Sequence, residues 1–220
     1  MPPLPPPLPP ETRTIGQLVA EAIRLYGRRF WYALPLGASV AVLEQVLIEF
    51  PYEIALVLLA TVGGVLLSAS YAAASALAAD TRFTRSSTLT AIAAGAVAFA
   101  PFPLLVHGLI LPGVAWLAFV GLVVPAAVIE RLRFRAAFRR ATELARADYV
   151  HALGSLSTLV ILYVLTRLVL IYLLRGSGDQ TERVAIFLAD LVISPLLFLG
   201  AALLYFDQAA RVRSAKPRRR

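Results

Sequence analysis

Apolar residues gather into six long stretches, at about 30–49, 54–79, 89–107, 109–130, 151–174 and 184–205. Each approaches the ~20 residues that cross ~30 Å of hydrocarbon as a helix. Two shorter segments carry a different pattern. In 14–29, Ile15, Leu18, Val19, Ala22, Leu25 and Tyr26 share one helical face, while Gln17, Glu21, Arg24 and Arg28 take the other. In the segment before the fifth stretch, Phe134, Ala137, Phe138, Ala141, Leu144 and Ala145 form one stripe, opposite Arg135, Arg139, Arg140, Glu143 and Arg146. The pattern predicts an all-α polytopic membrane protein. It has six transmembrane helices, with an amphipathic helix lying in the headgroup plane before the first and fifth. Thr14 is placed to cap the first of these helices. Ala22, Leu25, Phe30, Ala33 and Leu34 match Ala141, Leu144, Tyr149, Ala152 and Leu153, which suggests a repeated unit of amphipathic helix plus hairpin. Its middle copy is reduced to a short polar elbow at 84–88.

The composition agrees with this pattern. The chain is 59% hydrophobic and 15% charged, against roughly 45–50% and about 25% in soluble domains. Its mean hydropathy is +0.76. Six spans leave room for one membrane domain, at 14–209. Before it stands a proline-rich arm, 1–13, expected to be disordered or to serve a partner domain as a polyproline ligand. After it comes a basic tail, 210–220. The arm lacks the basic-then-apolar order of a secretory leader, so the first span acts as its own insertion signal.

The net charge of +8 follows the topology. Threaded back and forth, the six spans place all of the 21 basic residues on one side except Arg167, Arg175 and Arg183. Short arginine-rich loops stay cytoplasmic, which places both termini in the cytoplasm of a bacterial inner membrane. The expected partners are the bilayer and its anionic headgroups, and beyond them a membrane-protein partner or a second copy of the chain. Nucleic acid is not expected. The connections at 51–53, near 108 and at 176–182 are too short for an external domain. Gly63 and Gly64, with the Ser and Ala residues of 68–76, and the run 93–96, suit close helix packing in lipid. Pro101, Pro103, Pro112, Pro125 and Pro195 are expected to bend or break helices.

Chemistry-bearing residues are few. There is no cysteine, and no nucleophile–base arrangement, HExxH motif or phosphate loop is visible. Catalysis, cofactors and metal sites are not expected. His107 sits at a span end, where it either shuttles protons or is inert, and His151 reads with Tyr149 as an interface anchor. Charges at membrane depth are functional candidates by default. Glu44, Arg167 and Asp190 each lie roughly 10 Å below the outer surface at 1.5 Å per residue. Arg167 and Asp190 stand on spans joined by a short turn and are expected to pair, with Glu44 as a third member. Such a group either locks helices together or lines a polar cavity that binds an ion or a lipid headgroup.

Three segments, TIGQLVAEAIRLYGRRFWYALPL, FVGLVVPAAVIERLRFRAAFRRATELARADYVHALGSL and SPLLFLGAALLYFDQAARVR, together resemble the bacterial six-span membrane domain that is fused to glycerophosphodiester phosphodiesterases. That domain also occurs alone with no assigned role. The resemblance rests on Pro125 and Glu130, then Arg139 and Arg140, then Tyr205, Asp207 and Arg211. It departs at Ala141, where a serine is usual, and at 208–210, where an arginine is usual. At the cytoplasmic face the matched residues are expected either to form a ring, in which Glu130 and Asp207 pair with Arg139, Arg140 and Arg211 and dock the amphipathic helix against the span ends, or to make a snorkelling, solvated interface. The esterase barrel is absent, so that activity is not implied. The leading expectation is a non-enzymatic module that binds or organises lipid or a membrane partner. The alternative is a small transporter or channel-like carrier with Glu44, Arg167 and Asp190 along its path.

Overall fold

A computed structural model describes residues 9–82, 84–106, 109–176 and 178–215. The start of the proline arm, His107 and the last basic residues from Lys216 onward lie outside the described residues. Among those described there are helices and no strand. Six helices are long and apolar enough to cross a membrane: Phe30–Leu47, Tyr52–Ala79, Arg85–Leu105, Ile110–Ile129, Tyr149–Leu173 and Gln180–Ala215. They are called spans 1 to 6 below. Span 3 starts at Arg85 instead of Leu89, so the polar elbow becomes its first turn.

The two amphipathic helices are Ile15–Arg28 and Phe134–Ala147. Thr14 caps the first with a reciprocal pair. Its hydroxyl accepts from the Gln17 amide, and its own amide donates to Gln17 Oε1 at 2.8 Å. Ile15 and Phe134, Arg28 and Ala147, and Phe30 and Tyr149 are each 119 positions apart. The helix boundaries therefore repeat at the same offset as the sequence matches. The helices differ from expectation in what covers their apolar faces. Leu18 and Ala22 are fully buried against spans 5 and 6. Ala137, Ala141, Leu144 and Ala145 are fully buried against the ends of spans 3, 4 and 6. Protein, not lipid, takes these faces, because the span ends that meet them are themselves rich in alanine.

Prolines act unevenly. Helical geometry is interrupted before Pro101, and again at Gly121–Leu122, four residues ahead of Pro125. A further break comes at Leu34–Gly37, a 3-10 turn around Pro35 in span 1. Span 2 contains a π-helical turn at Leu59–Gly63. The helix Asp179–Ala215, by contrast, runs through Pro195 without interruption. A proline leaves the carbonyl four residues back without its helical partner, here that of Leu191. Gly37 packs onto this carbonyl so closely that a Cβ would lie 2.1 Å from the Leu191 oxygen. The break at Leu34–Gly37 and the bare glycine together let span 1 meet the freed carbonyl.

Span 6 is central, contacting spans 1, 2 and 5 and both amphipathic helices. At 1.5 Å per residue its 37-residue helix is about 55 Å long, well beyond ~30 Å of hydrocarbon. It continues past Tyr205 to Ala215, so Arg211 and Arg213 are helical. The half of the bundle nearer the arginine-rich end is packed with small residues. Ala72, Ala74, Ser75, Ala91, Ala94, Ala126, Ala127 and Ala202 are all buried there. Gly95 marks a close approach of three spans. A Cβ there would meet Ser68 Oγ at 2.4 Å and Val124 Cγ2 at 2.7 Å, so spans 2, 3 and 4 converge on it.

Candidate functional site

The opposite half of the bundle is hollow. A partly open cavity of about 420 Å³ is lined by side chains from all six spans. Val40, Leu43 and Leu47 of span 1 face it, with Leu59 and Leu67 of span 2 and Phe99 and Phe102 of span 3. Val114 and Leu122 of span 4, Leu159 and Val160 of span 5, and Phe198 and Ala201 of span 6 complete the wall. Among the described residues of the lining Glu44 is the one that carries charge, and Tyr71 and Tyr163 bring the hydroxyl groups. The volume lies in the range of small-molecule sites, roughly 300–1,000 Å³.

The three charges predicted at membrane depth meet beside this cavity. The Arg167 guanidinium forms an ion pair with Glu44 Oε1 through Nη2, and its Nε lies 3.4 Å from Asp190 Oδ1. Spans 1, 5 and 6 are thereby tied together. Tyr163 belongs to the cluster and was not foreseen. Its hydroxyl donates to Asp190 Oδ1 at 2.7 Å, and its ring lies under the Arg167 guanidinium at 5.7 Å. Tyr163 stands four residues before Arg167, one helical turn away, and that spacing was the available signal. Asp190 is fully buried, whereas Glu44 keeps 31% of its side chain exposed. Arg167 and Asp190 stand behind the wall; only Glu44 of the charged three reaches the cavity.

A second polar cluster closes the arginine-rich end, where the two described ends of the chain meet. Glu130 accepts from Arg140 Nε at 2.8 Å and from the Tyr205 hydroxyl. Arg140 also reaches Glu143 at 3.0 Å. Burial disfavours the Arg140 charge, but hydrogen bonds to Glu130 and Glu143 outweigh it and raise the guanidinium above its ordinary range. Pro125 is buried one helical turn before this group. Glu130 and Arg140 thus pair, and Tyr205 joins them at the same carboxylate oxygen.

The rest of the expected ring is arranged differently. Arg139 is exposed on the solvent side of its helix, with Glu130 engaged by Arg140. Arg211 pairs with Asp148 at 2.6 Å, not with Glu130 or Asp207. Asp207, with no exposed surface, is taken by Arg13 at 2.7 Å, and His151 Nε2 lies 3.5 Å from its other oxygen. Arg211 also donates to the Arg13 carbonyl at 3.1 Å, and Gln208 to the Asp148 carbonyl at 2.7 Å. His151 is buried in this cluster, not an exposed interface anchor. The physical reason is the length of span 6. Its helix continues past Tyr205 and carries Asp207 and Arg211 alongside the start of span 5, where Arg13 also reaches them. Asp148 was legible as the cap of span 5, since it accepts the His151 amide at 2.9 Å. Arg13 was not, because its contact lies 194 positions away.

Among the described residues no group of three His, Cys, Asp or Glu side chains is placed to hold a metal ion. Comparison with protein-family models, with curated proteins and with solved structures finds no match to this chain.

Proposed function

We propose that this chain is a non-enzymatic module of a bacterial inner membrane. It holds the apolar portion of a lipid-like amphiphile in the cavity between its six spans. One observation carries this reading: a cavity of about 420 Å³, apolar except for Glu44 and two tyrosines, is set in one half of the bundle. The other half is filled by alanine, serine and glycine. An aqueous solute would find few partners in such a wall, whereas an alkyl chain gains about 25 cal/mol for each Å² of apolar surface withdrawn from water. The carrier alternative, with Glu44, Arg167 and Asp190 along a path, draws less support, because Arg167 and Asp190 are not among the residues that line the cavity.

Membrane type, orientation and family belong to the same proposal. Basic residues crowd the end where the two described ends of the chain meet, and short basic segments stay cytoplasmic. The relation to the stand-alone domain of the phosphodiesterase-linked family is supported by the grouping of Glu130, Arg140 and Tyr205 at one point.

Native mass spectrometry of the protein released gently from its membrane tests the binding reading. The expected result is a retained lipid-sized adduct. Ala201→Phe projects a ring into the cavity and is expected to remove the adduct while insertion and helical content are kept. An adduct retained at full occupancy in that variant overturns the assignment to this cavity.

A further inference from the structure

The cavity has a charge preference built into its wall. Arg167 faces two carboxylates, and one guanidinium balances one of them. Asp190 has no exposed surface, takes the Tyr163 hydroxyl at 2.7 Å on Oδ1, and has Arg167 Nε 3.4 Å from the same oxygen. Glu44 is held by Arg167 at one oxygen, keeps 31% of its side chain exposed and is the charged group that lines the cavity. The cluster holds one more carboxylate than guanidinium, and Glu44 is the member of it that a molecule in the cavity meets. An uncompensated charge in a low-dielectric wall is costly, and its cost is relieved by a counter-charge delivered with the ligand.

We infer that the occupant is an amphiphile with a cationic, ammonium-type headgroup, its alkyl tail in the apolar cavity and its ammonium on Glu44. This rests on the cavity reading above and adds the chemistry of the head. The geometry does not suit a fatty acid or a phosphate-only head, because each would set an anion against Glu44. A neutral alcohol of the same length fills the same wall and leaves the carboxylate unmatched. Hydrogen bonds to charged groups contribute more than neutral ones, about 1.5–3 kcal/mol.

The test compares three probes of equal chain length on the full-length protein in a neutral maltoside detergent: dodecylamine, dodecanol and dodecanoate. The bound fraction is read by native mass spectrometry. The amine is expected to bind about tenfold tighter than the alcohol or more, and the acid more weakly than the alcohol. Glu44→Gln is expected to bring the amine down to the alcohol while the alcohol is unchanged. Equal binding of the three by the unaltered chain overturns the ammonium assignment and leaves the cavity reading standing. So does an amine preference that survives Glu44→Gln. Failure of all three to bind overturns both. The comparison on the unaltered chain decides the question even where Glu44→Gln does not fold.

Discussion

At the scale of single residues, the Arg167 cluster shows how buried charge behaves in this fold. Two carboxylates and one guanidinium tie spans 1, 5 and 6 together. Removing one member leaves the others without a counter-charge in a low-dielectric setting, at a cost of about 3–5 kcal/mol. Arg167→Met is therefore expected to destabilise the bundle by that order, read as a fall in detergent melting temperature. The triple change Glu44→Gln, Arg167→Met and Asp190→Leu is expected to recover most of the loss, because apolar replacement of a whole cluster is often neutral. If the triple variant is less stable than Arg167→Met alone, the cluster is more than a set of mutually compensating charges. Glycine offers a second contrast. Gly37→Ala drives a methyl into the Leu191 carbonyl, a backbone atom that cannot step aside, and is expected to cost about 1–3 kcal/mol. Gly27→Ala meets nothing within 4 Å and is expected to stabilise its helix by up to about 1 kcal/mol. The paired melting shifts check both signs.

At the scale of elements, the two amphipathic helices act as docked parts of the bundle. Each buries an alanine–leucine stripe against protein, and the second turns Arg135, Arg139 and Arg146 outward. The second is fastened by Arg140 to Glu130 at 2.8 Å, and Tyr205 donates to the same carboxylate oxygen. Glu130→Ala leaves Arg140 and the hydroxyl of the buried Tyr205 without this partner, a loss of about 1–3 kcal/mol. Limited proteolysis of the connection between spans 4 and 5 is expected to accelerate in this variant. An unchanged cleavage rate and melting profile would mean that the alanine stripe holds the helix by itself. The periodicity of Ala137, Ala141 and Leu144 revealed the stripe, because 3.6-residue spacing is a local property. What would cover it was not readable, since a span end and a lipid headgroup region both accept an apolar face. Likewise His151 resembled an interface anchor until span 6 brought Asp207 within 3.5 Å of it.

At the scale of the whole molecule, the bundle is divided between a small-residue half and a hollow half, with the arginines at the packed end. An activity reporter placed in the 176–182 turn is expected to report the compartment opposite to one fused after the C-terminus. Reporters that agree would refute the six-span threading and the orientation drawn from it.

The chain by itself determined the number of membrane-crossing helices, the place of the two amphipathic segments and the repeat of their boundaries. These depend on hydrophobic runs of ~20 residues and on helical periodicity, both local in sequence. It also marked Glu44, Arg167 and Asp190, because charge is conspicuous in an apolar run. The tertiary structure alone decided which carboxylate faces the cavity, that Asp207 belongs to Arg13 and Arg211 to Asp148, and that a cavity exists at all. Those outcomes come from side chains brought together across tens to nearly two hundred positions. No periodicity within one helix records which residue of another will meet it.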